Sequence, residues 1–322
     1  MKHITLPDGN PRRLSFYLAM EEYVARHIDA PDCFFLWQVE PSVIFGRNQL
    51  IESEVNVEFC RRRGIRMYRR KSGGGCVYAD MSNIMFSYVT SSDSVGFTFH
   101  KFLNLMLLVL RKAGVEASIS SRNDILIGGR KVSGCAFYHI PGRCIVHGTM
   151  LYDTDMTNMV GAITPDDSKL LSKGVKSVRQ HIALLKDYTS LDIESFKQLA
   201  VSTICHESVC LTPADVLAIE EMEQEYLSDE FVYGNNPRCT KVVKERIEGV
   251  GLLEARIEMK SGVVKAVNLL GDYFLVGELD PLLAKLKGCT LTQDVLNRAL
   301  PDNLSDTIMN LKKDDFIRLL TQ

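Results

Sequence analysis

Four segments of the chain carry residue types that could act on an anionic substrate. The first is Arg69-Arg70-Lys71-Ser72-Gly73-Gly74-Gly75, which runs into Cys76-Val77-Tyr78 and on toward Asn83. Three consecutive glycines let the main chain approach a ligand closely and aim several N–H groups at one point. Neighbouring guanidinium groups can clamp a carboxylate or a phosphate with paired hydrogen bonds. No Gly-Lys-Ser/Thr closes the run, so it is not a Walker A loop. A solvated surface turn is the bland alternative, and the strand-like residues on both sides argue against it. The second segment is Asn123-Asp124 followed by Arg130-Lys131-Val132-Ser133-Gly134. Strand alternation predicts Lys131 and Ser133 on the same side of a strand. A lysine on an inner sheet face requires an anion beside it, whereas an outward hairpin lysine requires nothing. The third is Val146-His147-Gly148-Thr149-Met150-Leu151, in which His147 either polarises a ligand or is a satisfied core histidine. The fourth, Lys173-Gly174 through Ser177-Val178-Arg179, reads by itself as solvated surface.

Elements must position these segments. Apolar spacing predicts a helix over 14–29, strands over 34–39 and 42–45, and a helix over 55–63 stopped by Gly64. A strand over 65–68 leads into the glycine loop. Beyond the loop, 76–78 and 83–89 are predicted as paired strands, and 98–113 as an apolar helix. Strands 124–127 and 131–137 form a hairpin about Gly128-Gly129, and 144–152 is a further strand. Strands and helices do not alternate regularly, which points to an α+β sheet and away from a doubly wound nucleotide fold. Helices are expected over 190–208 and 213–226, the second with Thr212 as N-cap, Pro213 at N1 and Asp215 three residues after the cap. A separate small domain starts near 238. It is expected to hold two strands, 252–259 and 263–270, and helices near 281–287, 292–299 and 304–320.

Composition bounds the function classes. The chain has 322 residues, 38 Lys+Arg against 40 Asp+Glu, and 46% hydrophobic residues, which suits one large domain plus a smaller one. A net charge of −2 argues against a dedicated nucleic-acid binder. No apolar run approaches the roughly 20 residues of a bilayer span, and the N-terminus has no apolar signal region. Nine scattered cysteines without a Cys-x-x-Cys pair make a structural zinc site or a disulfide framework an unsuitable reading. The expectation is a cytoplasmic protein with reduced thiols.

Taken in order, the segments form a pattern that none of them forms alone. Arg70-Lys-Ser72-Gly-Gly-Gly75-x-Val-Tyr-x-Asp80, Asn83, Asn123-Asp124, Arg130-Lys131-Val-Ser133-Gly134, His147-Gly-Thr-Met-Leu151 and Lys173-Gly-Val-x-Ser177-Val-Arg179 resemble the lipoate–protein ligase A family. Trp37, Gly46-Arg47-x-Gln49 and Val232-Tyr-Gly-x-x-Pro237 extend the resemblance through most of the first 235 residues. It implies a class II synthetase/biotin-ligase-like mixed sheet in a catalytic domain over 1–237, and an accessory domain over 238–322. It also implies that lipoate is activated with ATP and Mg²⁺ to lipoyl-AMP. The acyl group then passes to a lysine on lipoyl domains of E2 subunits and on glycine cleavage H protein. A monomer is the default expectation, and the charge balance and hydropathy argue against nucleic-acid and membrane partners.

Site roles carry over residue by residue. The nucleotide falls to Arg70, Ser72, Gly73, Gly74, Gly75, Cys76, Val77, Tyr78, Asn83, Asp124, Lys131, Ser177 and Arg179. Lipoate falls to Trp37, Ser72, Gly74, Asn123, Lys131, Ser133, Gly134, His147, Gly148 and Thr149. Lys131 is the catalytic residue, between the lipoate carboxylate and the α-phosphate. Asp124 either orients Lys131 or ligates Mg²⁺, and both roles stand at this stage. Residues 174–179 match a loop that folds over the adenylate. Cys76 stands where the family often has Ala and is given no nucleophilic role. Two departures are visible: Ala79 and Val146 replace residues that are commonly His. An ATP-independent octanoyl or lipoyl acyltransferase on the same fold is the principal alternative, with Cys135 or Cys144 as its nucleophile. A non-catalytic carrier-binding module is weighed against the intact Arg70 and Lys131. A biotin ligase is weighed against the glycine run, which in that family alternates Gly with Arg.

Overall fold

The protein is described by a computed structural model over residues 1–91, 95–120, 124–163, 180–234 and 239–322. The first part holds β1 (Lys2–Thr5), α1 (Leu14–His27), β2 (Asp32–Trp37), β3 (Ser42–Phe45), α2 (Ile51–Glu54), α3 (Val57–Arg63), β4 (Arg66–Arg69), β5 (Val77–Ala79) and β6 (Ile84–Thr90). Then come α4 (Val95–Lys112), β7 (Ser118–Ile119), β8 (Ile125–Ile127), β9 (Arg130–Ile140), β10 (Arg143–Met150) and α5 (Met156–Ala162). After them follow α6 (Ile193–Ile204), β11 (Glu207–Cys210), α7 (Pro213–Leu227) and α8 (Asp229–Tyr233). Last are β12 (Lys241–Ile247), β13 (Gly251–Lys260), β14 (Val263–Gly271), α9 (Leu279–Ala284), α10 (Gln293–Ala299) and α11 (Lys313–Thr321). The architecture is α+β.

Among the described residues, eight strands form one mixed sheet in the order β11-β1-β2-β6-β10-β9-β8-β7. The β11-β1-β2 edge is parallel and the remainder antiparallel. Helix α1 is buried from Leu14 to Ala25 and packs with Phe35, Trp37, Met85 and Ile145 of one sheet face. Helix α4 lies on the other face, where Phe99 meets Phe137 edge-on. The β8–β9 turn has positive φ at both Gly128 (55°) and Gly129 (78°), the conformation a two-residue hairpin of this hand requires. Gly64 closes α3 in the left-handed conformation, as expected. No helix of the described residues is long and apolar enough to cross a membrane.

Several element expectations are corrected. β5 and β6 do not pair with each other. The chain reverses at Asp80, whose carboxylate accepts the Ser82 N–H and whose carbonyl accepts the Asn83 N–H. β5 then pairs with β3, while β6 enters the large sheet between β2 and β10. The helix expected over 190–208 ends at Ile204, because Cys205 turns extended and β11 joins the sheet edge beside β1. The small C-terminal sheet has three strands, not two. The missed strand, β12, alternates charged residues with the buried Val243 and Ile247. The helix expected over 304–320 is confined to Lys313–Thr321, after Asn310 takes a positive φ of 62°.

The described residues divide into two compact units. One comprises Met1–Phe45, Ile51–Arg70 and Cys76–Val232; the other comprises Gly46–Leu50, Lys71–Gly75 and Tyr233–Gln322. In the second, Leu253, Ala255, Ile257 and Leu269 of the three-stranded sheet pack with Leu296, Phe316 and Leu320 of its helices.

Helix α7 begins with the expected reciprocal cap. Thr212 accepts the Asp215 N–H and Asp215 accepts the Thr212 N–H at 2.6 Å, with Pro213 at N1. The Tyr23 hydroxyl of α1 also donates to Asp215. Replacing Thr212 by Ala should lower stability by about 1 kcal/mol, read as a lower midpoint in urea; an unchanged midpoint would show that the cap contributes nothing.

Candidate active site

The strand register fixes which side chains share a face. His147 lies opposite Ser87 and Ala136, and Thr149 opposite Met85 and Gly134. Trp37 of β2 is also paired with Met85, so Trp37, Thr149, Gly134 and His147 face α1. Ser133 and Cys135 point the other way, with Oγ and Sγ 3.8 Å apart. A Cβ placed on Gly148 would meet the Cys135 sulfur at 2.8 Å, which puts Gly148 on that second face.

Lys131 breaks the expected alternation. The β8–β9 register shifts between Ile125, paired with Ser133, and Leu126, paired with Lys131, which leaves Val132 as an extra residue. Because of this bulge the Lys131 ammonium lies over Gly134, where a Cβ would stand 2.9 Å from Nζ and 2.8 Å from Cε. Lys131 and Ser133 are therefore not on one side. The lysine serves the face of Thr149, His147 and Trp37. Its Nζ is 2.8 Å from Asp124 Oδ1, and the lysine side chain remains 45% exposed. A cation held this way can meet an incoming anion without being buried first. Asp124 is in turn fixed by its N–H, donated to Ser120 Oγ at 3.1 Å.

Three residues without an assigned role, Glu21, Ser87 and Tyr17, complete this face. Glu21 of α1 is fully buried, and its carboxylate accepts the Ser87 hydroxyl at 2.6 Å. His147 Nδ1 lies 2.9 Å from the other Glu21 oxygen. Ser87 accepts the indole N–H of Trp37 at 2.8 Å, and the Tyr17 ring stacks on Trp37 at 4.9 Å. The sequence signal was a pair of adjacent acids, Glu21-Glu22, inside a helix whose other positions are mostly apolar.

Arg70 is buried, and its guanidinium donates to the Ile44 carbonyl at 3.1 Å. Burial pulls its pKa down to about 10, which leaves it cationic at neutral pH. Burial pushes the Cys76 thiol well up, which removes thiolate character. Val77 pairs with Ile44, and Tyr78 is buried opposite Val43. Asn83 is fully buried; its amide donates to Thr154 Oγ1 at 3.0 Å, and its Oδ1 has no partner among the described residues. Ala79 and Val146 are both core residues.

The glycine loop belongs to the second compact unit, with Ser72 buried and its carbonyl accepting the Arg47 N–H. Gly74 has φ 84° and donates its N–H to the Tyr273 carbonyl at 3.3 Å. A Cβ on Gly73 would overlap that same carbonyl oxygen and approach Phe274 Cα at 3.2 Å. The closest approach that these glycines permit is thus by main chain of the same unit. Asn123, Ser177, Arg179 and the 174–179 loop lie outside the described residues. Among the described residues no group of three or more His, Cys, Asp or Glu could hold a metal ion.

Comparison with known proteins bears on what such a face does. Residues 14–205 match the lipoyl protein ligase A/B catalytic domain, and residues 236–320 match the bacterial lipoate protein ligase C-terminus. Lipoate–protein ligase 1 of Staphylococcus aureus is 33% identical over 94% of this chain and 95% of its own. The solved lipoate-bound LipL1 of Plasmodium falciparum is 18% identical, covers 99% of this chain and 98% of its own, and superposes with a TM-score of 0.77. A bipartite lipoate protein ligase of Thermoplasma acidophilum, described with its E2 lipoyl domain, is 24% identical. It covers 74% of this chain and 98% of its own at a TM-score of 0.66.

The two ends of the glycine run should respond differently to a methyl group. Gly73→Ala should destabilise the second unit by about 1–3 kcal/mol through overlap with Tyr273. Gly75→Ala, with nothing within 4 Å of its added Cβ, should stay within roughly 0.5 kcal/mol of the parent. Urea titrations of both variants check this, and equal midpoints would refute it.

Proposed function

Since the chain belongs to the lipoate–protein ligase family, we propose that it activates lipoate with Mg-ATP and passes the lipoyl group to a lysine of a carrier domain. A lipoate carboxylate oxygen attacks the α-phosphorus, an acyl–phosphate bond forms, and pyrophosphate leaves with the electrons of the broken P–O bond. The carrier amine then attacks the acyl carbon, forming an amide and releasing AMP. Both reactants in the first step are anions, so fixed positive charge is needed where negative charge accumulates. Lys131 supplies it as an ammonium, and Arg70 as a guanidinium that stays protonated. Mg²⁺ accompanies the ATP phosphates, with Asp124 as the protein carboxylate available to it. Ser72, Gly73, Gly74, Gly75, Cys76, Val77, Tyr78, Asn83, Ser177 and Arg179 contact the nucleotide. Trp37, Ser72, Gly74, Asn123, Gly134, His147 and Thr149 contact lipoate, whereas Ser133 and Gly148, expected with them, lie on the opposite face of the sheet beside Cys135.

The observation that supports this reading is the placement of Lys131. Its ammonium stands over a side-chain-free Gly134, paired to Asp124 at 2.8 Å, on the face that carries Trp37, Thr149 and His147. A cation beside an apolar aromatic wall suits a substrate with an anionic head and an apolar tail. The carriers are lipoyl domains of E2 subunits and the glycine cleavage H protein, met by a cytoplasmic monomer. Residues 1–237 are assigned to catalysis and 238–322 to the accessory role.

A thiol-based acyltransferase is disfavoured. Cys135 shares its face with Gly148, opposite Lys131, and burial pushes its thiol up to about 12. Cys144 is buried on that same second face, its thiol pushed up to about 11 by burial. At pH 8 a thiol of pKa about 12 is ionised in roughly one molecule in ten thousand. Lipoyl transfer measured after iodoacetamide treatment at pH 8 should therefore match the untreated protein; loss of activity would favour the transferase.

Lys131→Ala should abolish lipoate-dependent ATP–pyrophosphate exchange with an unchanged unfolding midpoint. Gly134→Ala displaces only the flexible end of Lys131, so it should preserve stability while lowering exchange about tenfold or more. Mass spectrometry of a lipoyl domain incubated with lipoate, Mg-ATP and the protein reads the whole reaction. Exchange unaffected by Lys131→Ala would overturn the assignment of that residue.

A further inference from the structure

We propose that Glu21 is a positioning residue, which acts through His147 and the Ser87–Trp37 pair to hold the wall against which the acyl substrate binds. The proposal rests on the ligase reading above. A fully buried carboxylate is costly unless its oxygens are satisfied. Glu21 meets that cost with two partners on strands β6 and β10. Ser87 donates to one oxygen at 2.6 Å, and His147 Nδ1 lies 2.9 Å from the other and 3.1 Å from the first. The carboxylate can only accept, so it fixes the imidazole with its proton on Nδ1.

The same carboxylate sets the indole. Ser87 spends its proton on Glu21, so its oxygen is left to accept the Trp37 N–H. One charge on α1 thereby orients side chains on three adjacent strands of the sheet. The next residue gives the contrast. Glu22 is also buried, but it turns to the Tyr226 hydroxyl of α7 and to Arg26 of its own helix, in the α1–α7 seam. Glu21 alone of the two faces Lys131's side of the sheet.

The test compares Glu21→Gln, His147→Gln and the double variant in lipoate-dependent ATP–pyrophosphate exchange. A glutamine removes the charge and keeps only one accepting oxygen, so it cannot accept from Ser87 and His147 on separate oxygens, with little change in volume. Each single variant should raise the KM for lipoate about tenfold and leave the KM for ATP unchanged. The double variant should be no worse than His147→Gln alone, because Glu21 acts through the ring. Additive losses, an equal rise in the ATP KM, or a wild-type KM in Glu21→Gln would overturn the proposal. Nitrogen-15 shifts of the His147 ring in the unaltered protein provide a readout that does not depend on a variant folding. A protonated Nδ1 is expected, and a bare Nδ1 would overturn the proposal. Absence of exchange in the unaltered protein would instead sink the ligase reading, while the ring shifts still decide the role of Glu21 in orienting His147.

Discussion

One extra residue in β9 decides which side of the main sheet Lys131 serves. Without the bulge at Val132, Lys131 would follow Ser133, Cys135 and Phe137 toward the α4 side. There it would meet the apolar packing of α4. With the bulge, the ammonium crosses to the face of Thr149 and His147, meets Asp124, and rests where Gly134 has no side chain. Strand bulges recur beside active sites because they re-aim one side chain without disturbing the ladder beyond it. The β9–β10 register is unshifted from Ser133 to Ile140, which confines the change to the lysine end of the strand.

The face so built combines two electrostatic regimes. At its open end Lys131 and Asp124 remain partly solvated, so their pairing is weak enough to be exchanged for a substrate anion. At its closed end Glu21, Ser87 and His147 are buried and mutually satisfied, and their pairing is rigid. The gradient from exchangeable to fixed charge runs across β9, β10 and β6, with the Trp37–Tyr17 stack beside the fixed end. An elongated substrate with a charged head and an apolar tail matches that gradient in one orientation only.

The sequence made much of this legible, and its failures have physical causes. The hairpin at Gly128-Gly129, the Gly64 stop and the Thr212 cap were readable because each depends on a local backbone requirement. Pairing was harder, because partners are chosen by tertiary packing. Asp80 to Asn83 looks like a hairpin turn, yet it delivers β5 and β6 to different sheets. Strict alternation puts Lys131 on the wrong side because it cannot foresee a bulge. Glu21 gives little signal in the sequence because an acid on a helix is ordinarily solvated, and only the strands packed on α1 supply its partners.

The glycines answer more than one demand. In the run of three, Gly73 leaves room for the main chain of Tyr273 and Phe274, and Gly74 donates its N–H to Tyr273, within their own unit. Gly134, outside the run, is the position whose missing Cβ leaves room for a reactive group, the Lys131 ammonium. Space next to a cation is what a carboxylate or phosphate needs, and a side chain there would move the charge before it blocked the ligand. The demand for glycine is therefore strongest where a charge must stay put, and the residue that enforces it lies three positions along the strand from the lysine it serves.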